Sequence, residues 1–173
     1  MRVFCLLLSA AMIFTFDFVL KKWTQSQLPL MNAFAPYPFG GIGIFRDLLG
    51  IDFSIVHVVN KGAAWGIFSS WKYMLVFLRI AIIIVLFLSN FFWSKAKENR
   101  WALMLIIVGA TSNVIDFFYY GHVIDMLYFN FWGYSYPVFN IADSAIFIGA
   151  LLLGLKSIKA SKKEQYEKST SAH

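Results

Sequence analysis

Four long apolar stretches dominate the sequence and limit what the chain can fold into. They are residues 3–20, 73–93, 101–119 and 138–155. Each is close to the ~20 residues that a helix needs to cross about 30 Å of hydrocarbon. The chain is 60% hydrophobic and only 14% charged, which is not the composition of an ordinary soluble domain. We therefore predict an all-α membrane protein with four transmembrane helices.

The first stretch has a second interpretation. Arg2, an apolar core and the small residues Ser9, Ala10 and Ala11 are features of a secretory signal peptide. The small residues come too early for a cleavage site, however, because more apolar sequence follows them. We therefore expect residues 3–20 to remain in the protein as a membrane span.

The basic residues indicate how the spans are oriented, because Lys and Arg concentrate on the cytoplasmic side of multi-pass membrane proteins. Of 15 such residues, nine precede the first span, lie between the second and third, or follow the fourth; five lie in the two opposite connections, and one is within a span. We expect cytoplasmic termini, with segments 21–72 and 120–137 outside. The net charge of +6 then reflects topology and anionic lipid headgroups, and we expect no nucleic-acid partner.

The remaining segments complete the predicted organisation. Residues 1–157 form one transmembrane domain, and its outer segment, about 24–70, is expected to carry a small β-element. The β-branched run FSIVHVVN (53–60) predicts a strand, and a lone strand needs at least one partner. The polar residues 158–173 predict a flexible cytoplasmic tail. The single cysteine, Cys5, excludes an internal disulfide.

Polar side chains within or at the ends of the spans are the candidate functional residues. A charged side chain at the bilayer centre costs roughly 2.5–3.5 kcal/mol on insertion scales, so it marks a function or a partner. Asn113 and Asp116 are three residues apart and share a helix face, and Asn140 and Asp143 repeat that spacing. The whole set is Asp17, Arg79, Asn113, Asp116, Asp125, Asn140 and Asp143.

Most of these residues also have a structural interpretation. Asp17 and Lys21 are four residues apart, which predicts an ion pair at a helix end. Asn113 and Asn140 are equally compatible with hydrogen bonds between neighbouring helices, and Arg79 can extend to the interface. We expect no metal site and no cofactor, because neither of the internal histidines, at positions 57 and 122, has a second ligand at metal spacing.

Asp125 and Asp143 are harder to explain structurally. In the predicted topology Asp143 lies roughly 8 Å into the fourth helix, and Asp125 lies in the outer connection before it. Two carboxyl groups in a poorly hydrated place repel, so one holds its proton while the other ionises. General acid–base hydrolysis requires that state. A small proton-coupled membrane carrier also uses intramembrane acids and is the alternative; an inactive assembly protein is a third interpretation.

Five short motifs, in order along the chain, resemble those of bacterial lipoprotein signal peptidases, also called signal peptidase II. They are DFVLK (17–21), NKGAAWG (60–66), GATSNVID (109–116), GHVIDM (121–126) and FNIADS (139–144). Each motif is weak alone. Five in order, on four apolar stretches of the expected polarity, make a specific resemblance.

The resemblance implies an aspartyl endopeptidase of the bacterial cytoplasmic (inner) membrane. Such an enzyme cleaves the signal peptide of a diacylglyceryl-modified prolipoprotein just before the lipidated cysteine, and its catalytic dyad corresponds to Asp125 and Asp143. The resemblance further implies a short surface helix beside the outer β-element, contact with membrane lipids and inhibition by peptide antibiotics of the globomycin type. We expect a monomer. The supporting residues that the resemblance implies are Asp17, Lys21, Asn60, Gly62, Asn113, Asp116 and Asn140.

Two positions depart from the family pattern. The family usually has Arg directly after the aspartate that ends the third helix, where this chain has Phe117, and Gly four residues before that aspartate, where it has Ser112. Losing the Arg removes one supporting ion pair of Asp116. We expect Phe117 to pack against lipid or neighbouring helices, and another base, Lys21 or Arg79, to compensate.

Overall fold

The part of the chain that the structure describes forms four α-helices and four strands. The computed structural model describes residues 2–61, 72–92 and 99–170. In chain order the elements are α1 (Arg2–Gln27), β1 (Ile42–Leu48), β2 (Ile51–Asn60), α2 (Lys72–Phe92), α3 (Arg100–Tyr120), β3 (Val123–Phe131), β4 (Tyr134–Ser135) and α4 (Ile141–Thr170).

Among the described residues, three helices are long and apolar enough to cross a membrane. They are Val3–Gln27 within α1, the whole of α3, and Ile141–Lys163 within α4. The apolar part of α2 counted in the same way, Val76–Ser89, is shorter. A mostly helical protein with several membrane-spanning helices is thereby confirmed, and the number of four spans stays a prediction.

The helices pack around α3, which contacts α1, α2 and α4. Two glycines allow α3 and α4 to approach closely. A Cβ atom on Gly109 of α3 would overlap the carbonyl oxygen of Ala142, and one on Gly149 of α4 would lie only 2.6 Å from that of Ala102. Small residues at a helix contact let backbones meet in this way in membrane proteins, so the α3–α4 spacing is set by the absence of side chains.

The segments predicted to lie outside the membrane contribute the strands of one antiparallel sheet with the order β1-β2-β3-β4. The strand predicted at 53–60 is confirmed within β2, as is the need for a partner strand. The sheet is larger than expected, because β3 and β4 come from the second connection, residues 120–137, which the prediction left without strands. The short surface helix predicted in the 24–70 segment is not seen in residues 28–61. Residues 62–70 lie outside the described residues, so this helix stays a prediction.

The helix α4 continues well beyond the apolar stretch that predicted it. Residues 158–170, interpreted from the sequence as a flexible tail, are helical up to Thr170. The 30 residues of α4 correspond to roughly 45 Å at 1.5 Å per residue, which exceeds the hydrocarbon thickness. The flexibility of this end and its cytoplasmic location stay predictions.

Candidate active site

The two aspartates singled out by the sequence lie where the sheet meets the helix ends. Helix α3 ends because Gly121 adopts a left-handed conformation (φ 77°), and its N–H donates to the carbonyl oxygen of Phe117 at 2.9 Å. Glycine tolerates this conformation without strain. The chain then turns directly into β3, and the third residue of that strand is Asp125.

Asp125 is buried, with 2% of its surface exposed. The side-chain amides of Asn60 and Asn140 donate to its two carboxyl oxygens at 2.9 and 2.7 Å. Burial, and then the neighbouring carboxyl group of Asp143, raise the pKa of Asp125 from 3.8 to about 7. Hydrogen bonds from the two asparagines act in the opposite direction, because they favour the ionised carboxylate. The group is therefore set to exchange a proton near neutral pH.

Asp143 lies in the first turn of α4 and is half-buried. Its backbone N–H donates to the side-chain oxygen of Asn140 at 2.8 Å, so Asn140 caps the helix in the way that Asn commonly does. The amide of Asn113 donates to a carboxyl oxygen of Asp143 at 2.7 Å. Asn140 thus contacts both aspartates: its oxygen holds the backbone of one, and its amide holds the carboxyl group of the other.

A fully buried lysine lies behind this pair. The ammonium group of Lys21 is 2.6 Å from carboxyl oxygens of both Asp17 and Asp116, and it donates to the side-chain oxygen of Asn113 at 2.9 Å. This last bond fixes which way the Asn113 amide points, and the NH2 group therefore faces Asp143. A buried charge is tolerated only when it is paired, and Lys21 has two carboxylates.

Asp17 connects three helices. One of its carboxyl oxygens accepts the backbone N–H of Ala142 in the first turn of α4 at 2.9 Å, and the other accepts the hydroxyl of Ser112 in α3 at 2.6 Å. An acidic group at a helix N-terminus is also favoured by the helix dipole. In the sequence, Ser112 stands out only as a departure from the family pattern. Its position on the same turn of α3 as Asn113 was the signal that could have assigned it to the site.

The structure answers the question raised by Phe117. The positive partner of Asp116 is Lys21, one of the two bases expected to compensate for the missing Arg. Phe117 is buried and packs edge-on against Tyr73 of α2, with ring centroids 6.0 Å apart, as predicted for packing against a neighbouring helix. Arg79 lies on α2 and is half-buried; it is not brought into the site by any described contact. Gly62, which the resemblance adds to the site, lies outside the described residues.

An aromatic groove opens beside Asp143. Its volume is about 560 Å³, within the ~300–1,000 Å³ typical of ligand pockets. Rings of the sheet stack along it: Phe53 on Phe129 at 4.4 Å and Phe129 on Phe131 at 5.7 Å between centroids. The lining residues are Phe129, Phe131, Tyr136, Phe139, Asp143, Ser144, Phe147 and Ile148.

Within the described ranges, no group of three or more His, Cys, Asp or Glu side chains is placed to hold a metal ion. The expected lack of a metal and a cofactor stays a prediction. The carboxyl group of Asp143 lines the groove together with the hydroxyl groups of Tyr136 and Ser144, and Asn140 links Asp143 to Asp125. Such groups suit proton transfer and hydrogen bonding to a peptide.

Comparison with known proteins identifies the family. The sequence model of the signal peptidase (SPase) II family matches residues 9–159. The chain belongs to the signal peptidase II family. Its relatives include the lipoprotein signal peptidases of Psychromonas ingrahamii, 35% identical over 88% of this chain and 84% of that protein, and of Chlamydia pneumoniae, 42% identical over 65% and 68%.

Solved structures agree with this assignment. Two bacterial membrane enzymes have the same fold, with TM-scores of 0.74 and 0.71 at 28% and 30% identity. They cover 92% and 90% of this chain, and 90% and 93% of their own. The family and these relatives confirm the predicted signal peptidase function for lipoproteins, and they make the chain a protease and a multi-pass bacterial membrane protein. The alternative interpretation as a carrier gains no support from these relatives.

Proposed function

We propose that this signal peptidase II is an aspartyl endopeptidase that removes signal peptides from diacylglyceryl-modified prolipoproteins, cleaving just before the lipidated cysteine. The observation that carries the proposal is the pairing of Asp125 and Asp143 through Asn140 at the end of an apolar, aromatic groove. An apolar wall beside two proton-transfer groups suits hydrolysis of a peptide bond next to a lipid-modified cysteine.

The mechanism follows from one proton shared by two carboxyl groups. The ionised carboxylate takes a proton from water, whose oxygen attacks the scissile carbonyl carbon, while the protonated carboxyl group gives its proton to the carbonyl oxygen. In the second half, the tetrahedral intermediate returns a proton to one carboxylate, the C–N bond breaks, and the other carboxyl group protonates the leaving amine. Both carboxyl groups end in their starting states.

The supporting residues act by positioning the pair. Asn60 and Asn140 hold the carboxyl group of Asp125, and Asn113 holds that of Asp143. Lys21, with its partners Asp17 and Asp116, lies behind Asn113 and fixes its amide. Because each carboxyl group is held by amide donors, the two can face a substrate without large rearrangement on proton transfer.

We further propose that α2 also crosses the membrane, which gives four spans in the bacterial cytoplasmic (inner) membrane. Both termini then lie in the cytoplasm. Prolipoproteins are then the substrate partners, and membrane lipids surround the enzyme. A monomer, and inhibition by peptide antibiotics of the globomycin type, complete the proposal.

The test replaces each carboxyl group by an amide of nearly the same shape. We expect Asp125→Asn and Asp143→Asn each to lower cleavage of a lipidated prolipoprotein by at least about 100-fold, the low end of general acid–base contributions, while the protein remains folded. The matched control is Asp47→Asn, the same change at an exposed residue of β1. Cleavage and thermal unfolding of the purified variants are measured; near-normal turnover by either folded site variant would disprove the dyad.

A further inference from the structure

Both hairpins of the sheet end in an unusual tight turn. The strand partners Leu48↔Ile51 and Phe131↔Tyr134 leave the two-residue loops Leu49–Gly50 and Trp132–Gly133. All four loop residues have positive φ angles, which is the geometry of a type I′ turn. The first position of such a turn strongly favours Asn, Asp or Gly, because large side chains are strained at positive φ. Here it holds Leu and Trp.

These two residues are also displayed on the surface. Leu49 is 85% exposed and Trp132 is 77% exposed, and the neighbouring Leu48 and Tyr134 are each more than half exposed. Neither strained residue therefore gains by burial within the described chain. Folding does not account for a strained residue that exposes an apolar side chain, whereas a contact with a partner outside the chain does.

The two turns form a single surface. The backbone N–H of Trp132 donates to the carbonyl oxygen of Gly50 at 2.8 Å, and the indole ring lies so closely against Gly50 that it would overlap a Cβ atom there. We call Leu48, Leu49, Trp132 and Tyr134 the tip cluster. It lies at the end of β2 opposite Asn60, and the 10 residues of that strand span roughly 30 Å at about 3.3 Å per residue.

The tip cluster is continuous with exposed apolar side chains of α4. From Trp132 the ring of Phe131 is 6.3 Å away and that of Phe129 a further 5.7 Å. Both phenylalanines line the aromatic groove, whose other wall is formed by Phe147 and Ile148 of the membrane-spanning helix α4. Those two side chains are 67% and 48% exposed, so one apolar surface runs from a membrane span to the tip.

We propose that the tip cluster inserts into the lipid headgroup interface on the sheet's side of the membrane and so holds the sheet along the membrane surface. Trp and Tyr prefer this interface because their rings combine an apolar body with a polar edge. A second copy of the chain fits less well, since four side chains fall far short of the ~20–30 residues per partner in a stable interface. With the far end of the sheet anchored, the groove beside Asp143 opens toward the bilayer.

The test separates anchoring from folding through the chemistry of the turn. The variant Leu49→Asn/Trp132→Asn removes both apolar side chains but installs the residue that a type I′ turn favours. We expect its thermal stability in detergent to equal or exceed that of the parent protein, whereas its contact with lipid is lost. A change that damaged the sheet would instead lower the unfolding temperature.

Lipid contact is read from a dye at the tip. In a Cys5→Ser background, Tyr134→Cys carries an environment-sensitive fluorophore, and the full chain is reconstituted into phosphatidylcholine–phosphatidylglycerol vesicles with nitroxide-labelled lipids. We expect several-fold stronger quenching than for the same dye at the matched site Gln165→Cys, which is exposed far along α4. The quenching should fall to the control level in the double Asn variant.

Three outcomes would overturn the proposal. The first is weak quenching in the parent protein, and the second is quenching in the double Asn variant equal to that in the parent. The third is protection of the dye from nitroxide lipids together with cross-linked dimers, which would assign the surface to a second copy of the chain. Cleavage of a vesicle-embedded prolipoprotein gives an independent measure: KM should rise several-fold in the double Asn variant while kcat is unchanged. An inactive enzyme would contradict the proposed function but leave the quenching result intact.

Discussion

Ser112 donates a 2.6 Å hydrogen bond to Asp17, and Asp17 accepts the N–H of Ala142 in the turn that carries Asp143. Removing this hydroxyl should therefore affect catalysis at a distance. A hydrogen bond to a charged group contributes about 1.5–3 kcal/mol. Because Lys21 still pairs with Asp17, we expect Ser112→Ala to lower the free energy of unfolding by about 1–2 kcal/mol and to reduce kcat more than it raises KM.

The matched control for this prediction is Ser89→Ala, which removes a hydroxyl that bonds only within its own helix, to Leu86, in the described contacts. Denaturation and steady-state cleavage of the two variants are compared. If Ser112→Ala is indistinguishable from Ser89→Ala in kcat, the link from Ser112 to the first turn of α4 does not contribute to catalysis.

Asn60 offers a test of the proton shared by the dyad. Its amide donates to the carboxylate of Asp125 and so favours the ionised form; this lowers a pKa that burial and Asp143 have raised to about 7. Removing the amide should raise the pKa of Asp125 further. The protonated dyad then persists to higher pH, so the alkaline limb of kcat/KM should move upward in Asn60→Ala.

The control for the pH profile is Asn130→Ala, which removes an asparagine of the same sheet that bonds to Gly133 and lies away from the dyad. Initial rates across the pH range in which the protein stays folded give both profiles. A limb that moves downward, or that moves equally in both variants, would contradict the assigned effect of the Asn60 hydrogen bond.

The sequence predicted the charged and amide residues of the site but not Ser112 or the way the residues are connected. Each intramembrane acid or amide is costly alone, so its presence in an apolar stretch is a local signal. A serine in a membrane helix carries no such cost, and only its distance to Asp17, 95 positions away in the chain, gives it a role. Likewise, the sequence offered both Lys21 and Arg79 as partners of Asp116, and only the contact between α1 and α3 shows that the partner is Lys21.

At the scale of elements, the contact between α3 and α4 sets the position of Asp143 relative to Asn113. Gly109 lies against the carbonyl of Ala142, one residue before Asp143. We expect Gly109→Ala to push the start of α4 away, at a cost of about 1–3 kcal/mol in stability as for other overpacked contacts, and to reduce cleavage strongly. Thermal unfolding in detergent and cleavage rates measure the two effects.

The matched control is Gly154→Ala on α4 itself, where an added Cβ meets nothing within 4 Å. That change should leave cleavage unaffected and raise stability by up to about 1 kcal/mol, because Ala is the better helix former. Equal behaviour of the two glycine variants would mean that the close α3–α4 approach is not required.

Local patterns predicted the helices well and the sheet only in part. An apolar run near 20 residues long is its own evidence for a span, and each predicted stretch overlaps one of the four described helices over most of its length. The strand β2 was predicted from its β-branched run. The strand β3 has a similar composition, VIDMLYFNF. It pairs with β2, although α2 and α3 separate the two strands in the sequence. Such long-range pairing cannot be derived from either segment alone.

At the scale of the whole molecule, the contacts between helices lead to a prediction of which chain ends share a side of the membrane. The C-terminal half of α1, the last turns of α3 and the first turn of α4 meet at Asp17, Asn113 and Ala142, beside the sheet. Both α1 and α4 then run away from that junction. We therefore expect the start of α1 and the end of α4 to lie on the side of the membrane opposite the sheet.

The distribution of basic residues then chooses the side. In the sequence, nine of the 15 Lys and Arg residues precede the first predicted span, lie between the second and third, or follow the fourth, including five after residue 155, whereas five lie in the two opposite connections. By the positive-inside rule, the termini should be cytoplasmic and the sheet external.

In a Cys5→Ser background, Ala33→Cys and Gln165→Cys provide exposed single thiols at opposite ends. We expect a membrane-impermeant maleimide to label Ala33→Cys in intact spheroplasts and Gln165→Cys only after lysis, with both variants retaining cleavage of a prolipoprotein. The reverse pattern would invert the orientation, and labelling of both thiols before lysis would show that the two ends lie on the same side and would contradict the packing of α1, α3 and α4 at one junction.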